Sequence, residues 1–244
     1  REHGEEQHED DREVDRPTEM REGGDGRVEP AAAVAHGPVE NGLVEAGEIA
    51  ADLLLALQGP EAATALARLG IEAPLTSDAG RIRCADRVIL PGVGAAPEAM
   101  RRLRAQGLVE PLRQLGTPLL GICLGMQLLY ERSAEGEVEC LGLLPGVVRH
   151  LTPALGIRVP HMGWNQLRPL RRSPLLDGVA EGDSAYFVHS YAAPVTADTV
   201  AACDHGGLFT AVVQRGRHCG AQFHPERSAG TGARILRNFL EMDF

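Results

Sequence analysis

The chain has 244 residues, of which 43% are hydrophobic, and it carries a formal net charge of -10 at pH 7. This length and composition are typical of a globular chain with one sizeable core. Because the sequence has neither a basic block with interleaved aromatic residues nor an apolar run long enough to cross a bilayer, it argues against a nucleic-acid-binding protein and against a membrane protein.

The first 45 residues are rich in Glu, Asp, Arg and Gly and have almost no large apolar side chains. Such a segment buries too little apolar surface to offset the entropy cost of ordering, so residues 1–45 are predicted to form a disordered acidic tail. An interaction arm is the alternative. The chain begins with Arg1 rather than methionine, which leaves open whether residues 1–60 are the genuine N-terminus.

Residues 46–244 are predicted to form the folded domain, because short apolar runs there alternate with stretches of helical period. In the first half we predict helices at 62–69, 96–106 and 125–130, and strands at 87–90 (stopped by Pro91 and Gly92) and 118–122. In the second half we predict strands at 146–150, 185–188, 200–203, 208–213 and 218–223, followed by a helix at 232–241. The predicted fold is α/β, with a mostly parallel sheet flanked by helices and an added β-rich portion in the second half.

The five cysteines are an odd number without closely spaced pairs. This usage suits a reducing compartment better than a disulfide framework or a zinc site. Since nothing near Arg1 resembles a signal peptide, a cytoplasmic protein is expected.

The sharpest local pattern is Gly121-Ile122-Cys123-Leu124-Gly125, where a predicted buried strand turns into a helix. The glycines allow a tight turn that exposes the sulfur, as in a nucleophile elbow. The positive end of the helix dipole favours the thiolate, which is the reactive form of cysteine. The pattern therefore predicts that Cys123 is a nucleophile, and a buried core cysteine is the alternative.

A base for this nucleophile is suggested by Gln222-Phe223-His224-Pro225-Glu226, at the end of a predicted apolar strand. His224 would take the thiol proton and later protonate the leaving group, and Glu226, two residues on, would orient His224. Cys123, His224 and Glu226 are thus a predicted triad, although a single strand-end histidine is more often a surface residue.

A glycine-rich turn, Pro91-Gly92-Val93-Gly94, follows the predicted strand at 87–90. Because the carboxyl ends of parallel strands gather at one edge, this turn can lie beside Cys123 and present backbone N–H groups to an oxyanion. An ordinary βα turn is the alternative.

Together, the elbow, the Pro-Gly-Val-Gly turn and Phe-His-Pro-Glu resemble a class I, triad-type glutamine amidotransferase over roughly residues 70–244. Two further segments, Pro160-His161-Met162-Gly163-Trp164-Asn165 and Tyr186-Phe187-Val188-His189-Ser190-Tyr191, are similar to the histidine-biosynthetic member of that family. The resemblance implies a flavodoxin-like fold, a γ-glutamyl thioester on Cys123, and no metal or organic cofactor.

The resemblance also implies a heterodimer, in which the ammonia reaches a cyclase subunit with a (β/α)8 barrel. That cyclase would make imidazole glycerol phosphate and aminoimidazole carboxamide ribotide. The implied substrate-binding and oxyanion residues are Gly92, Gly94, Leu124, Gln127, Glu135, Ser190 and Tyr191. The implied partner-interface residues are Met162, Trp164, Asn165 and Arg227.

One segment departs from the family pattern. Family members open with a strand that runs into Asp-Tyr-Gly-x-Gly-Asn, whereas residues 52–60 here are Asp-Leu-Leu-Leu-Ala-Leu-Gln-Gly-Pro. The departure leaves open whether this segment supplies a core strand and permits docking. Two other functions therefore stay open: another class I amidotransferase or γ-glutamyl hydrolase, and a non-catalytic regulatory homologue.

Overall fold

In the computed structural model, the described residues are 53–56, 60–153 and 155–244. The predicted acidic tail, residues 1–45, lies outside them. Among the residues that are described, no helix is both long and apolar enough to cross a membrane.

The described part of the chain contains fourteen strands and six α-helices. The strands are β1 (Leu53–Ala56), β2 (Leu75–Thr76), β3 (Arg87–Gly92), β4 (Leu119–Cys123), β5 (Tyr130–Ser133), β6 (Val138–Glu139), β7 (Leu144–His150), β8 (His161–Gln166), β9 (Arg168–Pro169), β10 (Ser184–His189), β11 (Tyr191–Ala192), β12 (Thr199–Asp204), β13 (Leu208–Arg215) and β14 (His218–Ala221). The helices are α1 (Pro60–Arg68), α2 (Ala79–Cys84), α3 (Ala96–Ala105), α4 (Val109–Arg113), α5 (Leu124–Leu128) and α6 (Ala229–Glu241). Short 3-10 turns lie at Glu135–Glu137, Pro174–Leu176 and Pro225–Arg227.

The largest sheet has the strand order β2-β1-β3-β4-β14-β13-β12-β9. Its first five strands are parallel, and β13, β12 and β9 continue it with antiparallel pairing. Two smaller sheets, β8-β10 and β11-β7-β5-β6, come from the second half of the domain and its central region. The predicted α/β fold, a parallel sheet with an added β-rich portion, is confirmed.

The central strands are apolar along their whole length because both faces of the sheet are covered. Successive residues of β3 enter different cores: Ile89 packs in one cluster, and Val88 and Leu90 pack in the other. Helix α6 covers the first cluster and α3 covers the second, each with a stripe of side chains at helical spacing. These stripes are Ile235, Leu236, Phe239 and Leu240 on α6, and Ala96, Ala99, Met100 and Leu103 on α3.

The departing segment at 52–60 does supply a strand of the main sheet. Strand β1 lies between β2 and β3, and both pairings are parallel. The segment therefore fills the position between β2 and β3 in the main sheet.

Several predicted boundaries differ from the structure, and two of them lie beside the nucleophile elbow. Strand β3 does not stop before Pro91 but runs through Gly92, which pairs with Cys123. Among the described residues, strand β1 pairs only with residues 87–89 of β3, so the described partners bond this end of β3 on one side, where a residue without an N–H is tolerated. The helix predicted at 125–130 ends at Leu128, since the fully buried Tyr130 starts β5 and pairs with Leu144.

Candidate active site

Cys123 lies at the junction of β4 and α5, with φ 52° and ψ -113°. This backbone conformation is rare for a residue with a side chain and is typical of a nucleophile elbow. The flanking glycines make the turn possible, because a Cβ at Gly121 would lie 2.6 Å from the Met126 backbone and one at Gly125 would overlap the Leu90 carbonyl oxygen. The predicted elbow is therefore present, and the sulfur lies on the floor of a cavity.

His224 follows β14, which is the neighbour of β4 in the sheet. Its Nδ1 donates to Oε1 of Glu226 at 2.8 Å, so the other ring nitrogen is the one that interacts with Cys123. Burial on its own lowers the pKa of His224, but the hydrogen bonds to Cys123 and Glu226 and their charges raise it to about 10. The arrangement stabilises an imidazolium beside the sulfur at neutral pH, which is the state that a cysteine nucleophile needs.

A cavity of about 340 Å³ opens above the sulfur. Nine of the fourteen residues singled out in the sequence line it: Gly94, Cys123, Leu124, Gln127, Glu135, Ser190, Tyr191, His224 and Arg227. Glu226 lies behind His224, and Gly92 lines a neighbouring cavity with Gly94. The fold therefore collects residues from the carboxyl ends of β3, β4 and β14 at one site, as the parallel order predicts.

Two polar side chains of the cavity, the carboxylate of Glu135 and the amide of Gln127, are held by backbone groups. Oε2 of Glu135 accepts a hydrogen bond from the Ala96 amide at 2.7 Å, at the start of α3. Nε2 of Gln127 donates to the Tyr191 carbonyl oxygen at 2.7 Å. These contacts fix both side chains before any ligand is bound.

The predicted interface residues divide between two faces of β8. Met162 and Trp164 are 64% and 56% exposed on the outer face. Asn165 lies on the inner face, where Nδ2 donates to the Asp204 carbonyl oxygen at 2.9 Å. Sequence similarity grouped it with the exposed residues, but the alternation of side chains along a strand separates it from them.

The sequence did not single out Tyr186, which completes the exposed surface. Its ring lies under the Arg227 guanidinium at 4.5 Å and edge-on to Trp164 at 6.0 Å. We call Met162, Trp164, Tyr186 and Arg227 the outer patch. No clear polar and apolar alternation in the sequence of β10 marks Tyr186, and only the β8-β10 register places it opposite Trp164.

Residues 63–242 match the family model described as glutamine amidotransferase class-I. The chain belongs to the class I glutamine amidotransferase family. Within this family it is a HisH-type member. The imidazole glycerol phosphate synthase subunit HisH of Xanthomonas axonopodis pv. citri is 78% identical over 180 residues, which are 74% of this chain and 90% of that protein. The HisH subunit of Xylella fastidiosa is 72% identical over 179 residues, which are 73% of this chain and 90% of that protein.

Solved structures share the fold at much lower identity. A crystal structure of a glutamine amidotransferase has a TM-score of 0.61 at 22% identity, and the match covers 78% of this chain and 97% of that one. A putative GMP synthase component from Thermoplasma acidophilum has a TM-score of 0.59 at 17% identity, covering 77% and 92%. These two structures support the assignment of the fold.

The raised pKa of His224 makes the stability of this amidotransferase depend on pH. The folded-state pKa, about 10, lies above the usual value of 6.5, so the stabilisation is fully present below pH 6.5 and is lost as the pH rises to about 10. We expect the difference in melting temperature between the wild-type protein and Glu226→Gln to shrink from pH 6 to pH 10. Glu181→Gln is the control, because it changes an exposed carboxylate, and its difference in melting temperature from the wild type is expected to stay constant over this pH range. A difference in melting temperature between the wild type and Glu226→Gln that grows with pH would contradict the raised pKa of His224.

Proposed function

We propose that this HisH-type amidotransferase hydrolyses glutamine to glutamate and ammonia with Cys123 as nucleophile, His224 as acid and base, and Glu226 as the group that orients His224. The observation that carries the proposal is the strained backbone of Cys123 at the cavity floor. Beside it lies the imidazole of His224, which is hydrogen-bonded to the carboxylate of Glu226 at 2.8 Å. Few structural roles need a strained cysteine in this position.

The reaction follows from the charges of the Cys123 thiolate and the His224 imidazolium. The thiolate of Cys123 attacks the side-chain amide carbon of glutamine, and the new oxyanion accepts hydrogen bonds from the backbone N–H groups of Leu124 and Gly94. The His224 imidazolium gives its proton to the leaving nitrogen, which departs as ammonia and leaves a γ-glutamyl thioester. The neutral imidazole then takes a proton from water, whose oxygen attacks the thioester and releases glutamate and the thiolate.

The cavity suits the polar ends of glutamine. Glu135 offers a carboxylate to the α-ammonium group, and the backbone of Ser190 and Tyr191 forms the opposite wall. Gln127 holds the Tyr191 carbonyl and so fixes that wall. We infer that Glu135 selects the amino acid end of the substrate while Gly92 supports the turn that carries Gly94.

We further propose that the outer patch docks a cyclase subunit with a (β/α)8 barrel in a one-to-one complex, which receives the ammonia. Exposed aromatic residues and arginine at the rim of a catalytic cavity are typical of interface anchors. Arg227 belongs both to the patch and to the cavity, so a docked partner lies next to the place where ammonia is released. The five cysteines are free thiols, which supports a cytoplasmic site for this reaction.

The test is glutamate release from glutamine by the purified chain, with and without a cyclase that carries a substrate analogue. We expect strong stimulation by the cyclase, and loss of cyclase binding by at least about tenfold in Trp164→Ala. The matched control is Phe244→Ala, which removes an exposed aromatic side chain that packs against Arg87 at the opposite end of β3. Equal activity with and without the cyclase would instead indicate a stand-alone hydrolase.

A further inference from the structure

A buried glutamine lies next to the nucleophile and has no role in the mechanism above. Gln222 is fully buried, and its Nε2 donates to Sγ of Cys123 at 3.8 Å. Its Oε1 accepts a hydrogen bond from Nε2 of Gln127 at 2.9 Å. A buried amide keeps one orientation only if its neighbours determine which end donates and which end accepts.

The first neighbour that determines this orientation is the backbone carbonyl of Tyr191. A carbonyl oxygen only accepts, so the amide nitrogen of Gln127, at 2.7 Å, must face it. The other proton on the same nitrogen then points to Gln222, whose oxygen must face Gln127. The nitrogen of Gln222 is thereby left towards the sulfur. A flipped Gln222 would set N–H against N–H at Gln127 and oxygen against sulfur at Cys123.

The Tyr191 carbonyl is also held by the buried His189, which in turn is held by the buried His161. Nδ1 of His189 donates to it at 2.9 Å, so this nitrogen carries the proton. Burial lowers the pKa of His189 to about 3, and the ring is neutral at working pH with Nε2 as an acceptor. Nδ1 of His161 is 3.0 Å from that Nε2 and must be the donor.

The series of hydrogen bonds begins on the inner face of β8. Burial, with a smaller effect from the charge of His205, lowers the pKa of His161 to about 4, so its ring is also neutral. Its Nε2 accepts from Nδ2 of Asn165 at 3.2 Å. The orientation of each group in the series from Asn165 to Cys123 is therefore assigned, and we call this series the polar relay.

We propose that Gln222 is a positioning residue for the nucleophile: its N–H stabilises the thiolate of Cys123, and the polar relay holds the amide in the orientation that does so. This inference rests on the proposed function, because it takes Cys123 to be the nucleophile. An N–H donor strengthens when its acceptor becomes an anion, so the contact favours the thiolate over the thiol.

The test is the pH profile of alkylation of Cys123 by iodoacetamide, followed by mass spectrometry of its peptide. The variants are Gln222→Met, which removes the donor, and Gln222→Glu, which keeps the acceptor for Gln127 and places a carboxyl group beside the sulfur. We expect the midpoint of the profile to rise by about one pH unit in Gln222→Met, that is about tenfold slower alkylation below the midpoint, and by more in Gln222→Glu.

Two controls isolate the effect. The exposed Cys84 is alkylated in the same samples, and its profile is expected to stay unchanged. The substitutions Gln214→Met and Gln214→Glu make the same chemical changes on β13, at a glutamine that bonds Ser173 rather than the relay, and are expected to leave Cys123 unchanged. An unchanged Cys123 midpoint in whichever Gln222 variant folds overturns the proposal.

The far end of the relay is tested with His161→Phe, which keeps a ring stacked on Phe187 but removes the donor to His189. We expect a shift in the same direction as in Gln222→Met but smaller, and no shift would show that the relay does not orient Gln222. Alkylation needs neither glutamine nor a partner. A chain that hydrolyses no glutamine even with the cyclase, but shows these shifts, would refute the proposed function and leave standing only the effect of Gln222 on the thiolate. A chain that hydrolyses glutamine without these shifts would refute the inference alone.

Discussion

Replacing Cys123 with alanine is expected to abolish glutamine hydrolysis, with a loss of at least about 10⁴-fold in kcat, since no other described group at the cavity floor can form the thioester. Cys123→Ser is expected to fail as well, because a hydroxyl does not ionise beside His224 as a thiol does. Both variants should keep the fold, because a single small side chain is changed and the backbone turn is held by its flanking glycines.

The measurement is glutamate release in the presence of the cyclase, together with circular dichroism and cyclase binding. Cys84→Ala is the matched control, since it removes an exposed cysteine from α2 and is expected to retain full activity. Glutamine hydrolysis by Cys123→Ala at a rate near that of the wild-type protein would refute the role of Cys123. If Cys123→Ala loses both its circular dichroism spectrum and its activity, it is unfolded, and the activity of Cys123→Ser then decides the role of Cys123.

The sequence was most informative where one local rule decides the structure. Helix α3 was predicted within one residue because its apolar spacing, Pro97 in the first turn and Gly107 just beyond its end all agree. The elbow at Cys123 was predicted from two glycines, since only they permit the close contacts that the turn requires. Local and tertiary preferences coincide at both places.

Prediction from the sequence was poorer where pairing between distant segments decides the structure. Strand β8 was not predicted, because Gly163 and the exposed Met162 and Trp164 obscure its apolar alternation, and its order comes from pairing with β10. The expected interface position of Asn165 came from similarity to the family, which does not give the direction of a side chain on its strand. Only the register of β8 against β10, with Trp164 opposite Tyr186, shows that its side chain turns inward.

The candidate site shows the same division at the level of single residues. The proposed triad residues Cys123, His224 and Glu226 are recognisable because each stands in a short motif with its own chemistry. Gln222 stands in one of these motifs, two residues before His224, yet nothing in the motif says that its amide reaches the sulfur. That contact depends on the parallel pairing of β14 with β4, which brings residues about 100 positions apart into contact.

Gly125→Ala is expected to be the most destabilising single-methyl addition at the site. A Cβ at this position would overlap the carbonyl oxygen of Leu90 and lie 2.8 Å from its carbonyl carbon, and both are backbone atoms of the central strand β3. Neither can yield without separating α5 from β3, and the shift would also turn Cys123 away from His224. We expect a loss of about 3 kcal/mol or more and a fall in melting temperature of at least about 6 °C.

Gly116→Ala is the matched control, because it adds the same methyl group just before β4, where the nearest atom beyond the two chain neighbours is the Arg217 Nη1 at 3.9 Å. Its melting temperature is expected to stay within about 2 °C of the wild type, since an exposed substitution rarely changes stability by more than about 0.5 kcal/mol. Activity measured at a temperature where both variants are folded separates the two effects of Gly125→Ala. If the folded variant keeps full activity, the close packing of α5 against β3 supports only the fold. If activity falls while the circular dichroism spectrum is unchanged, the same contact also aims the sulfur at His224, as the elbow geometry indicates.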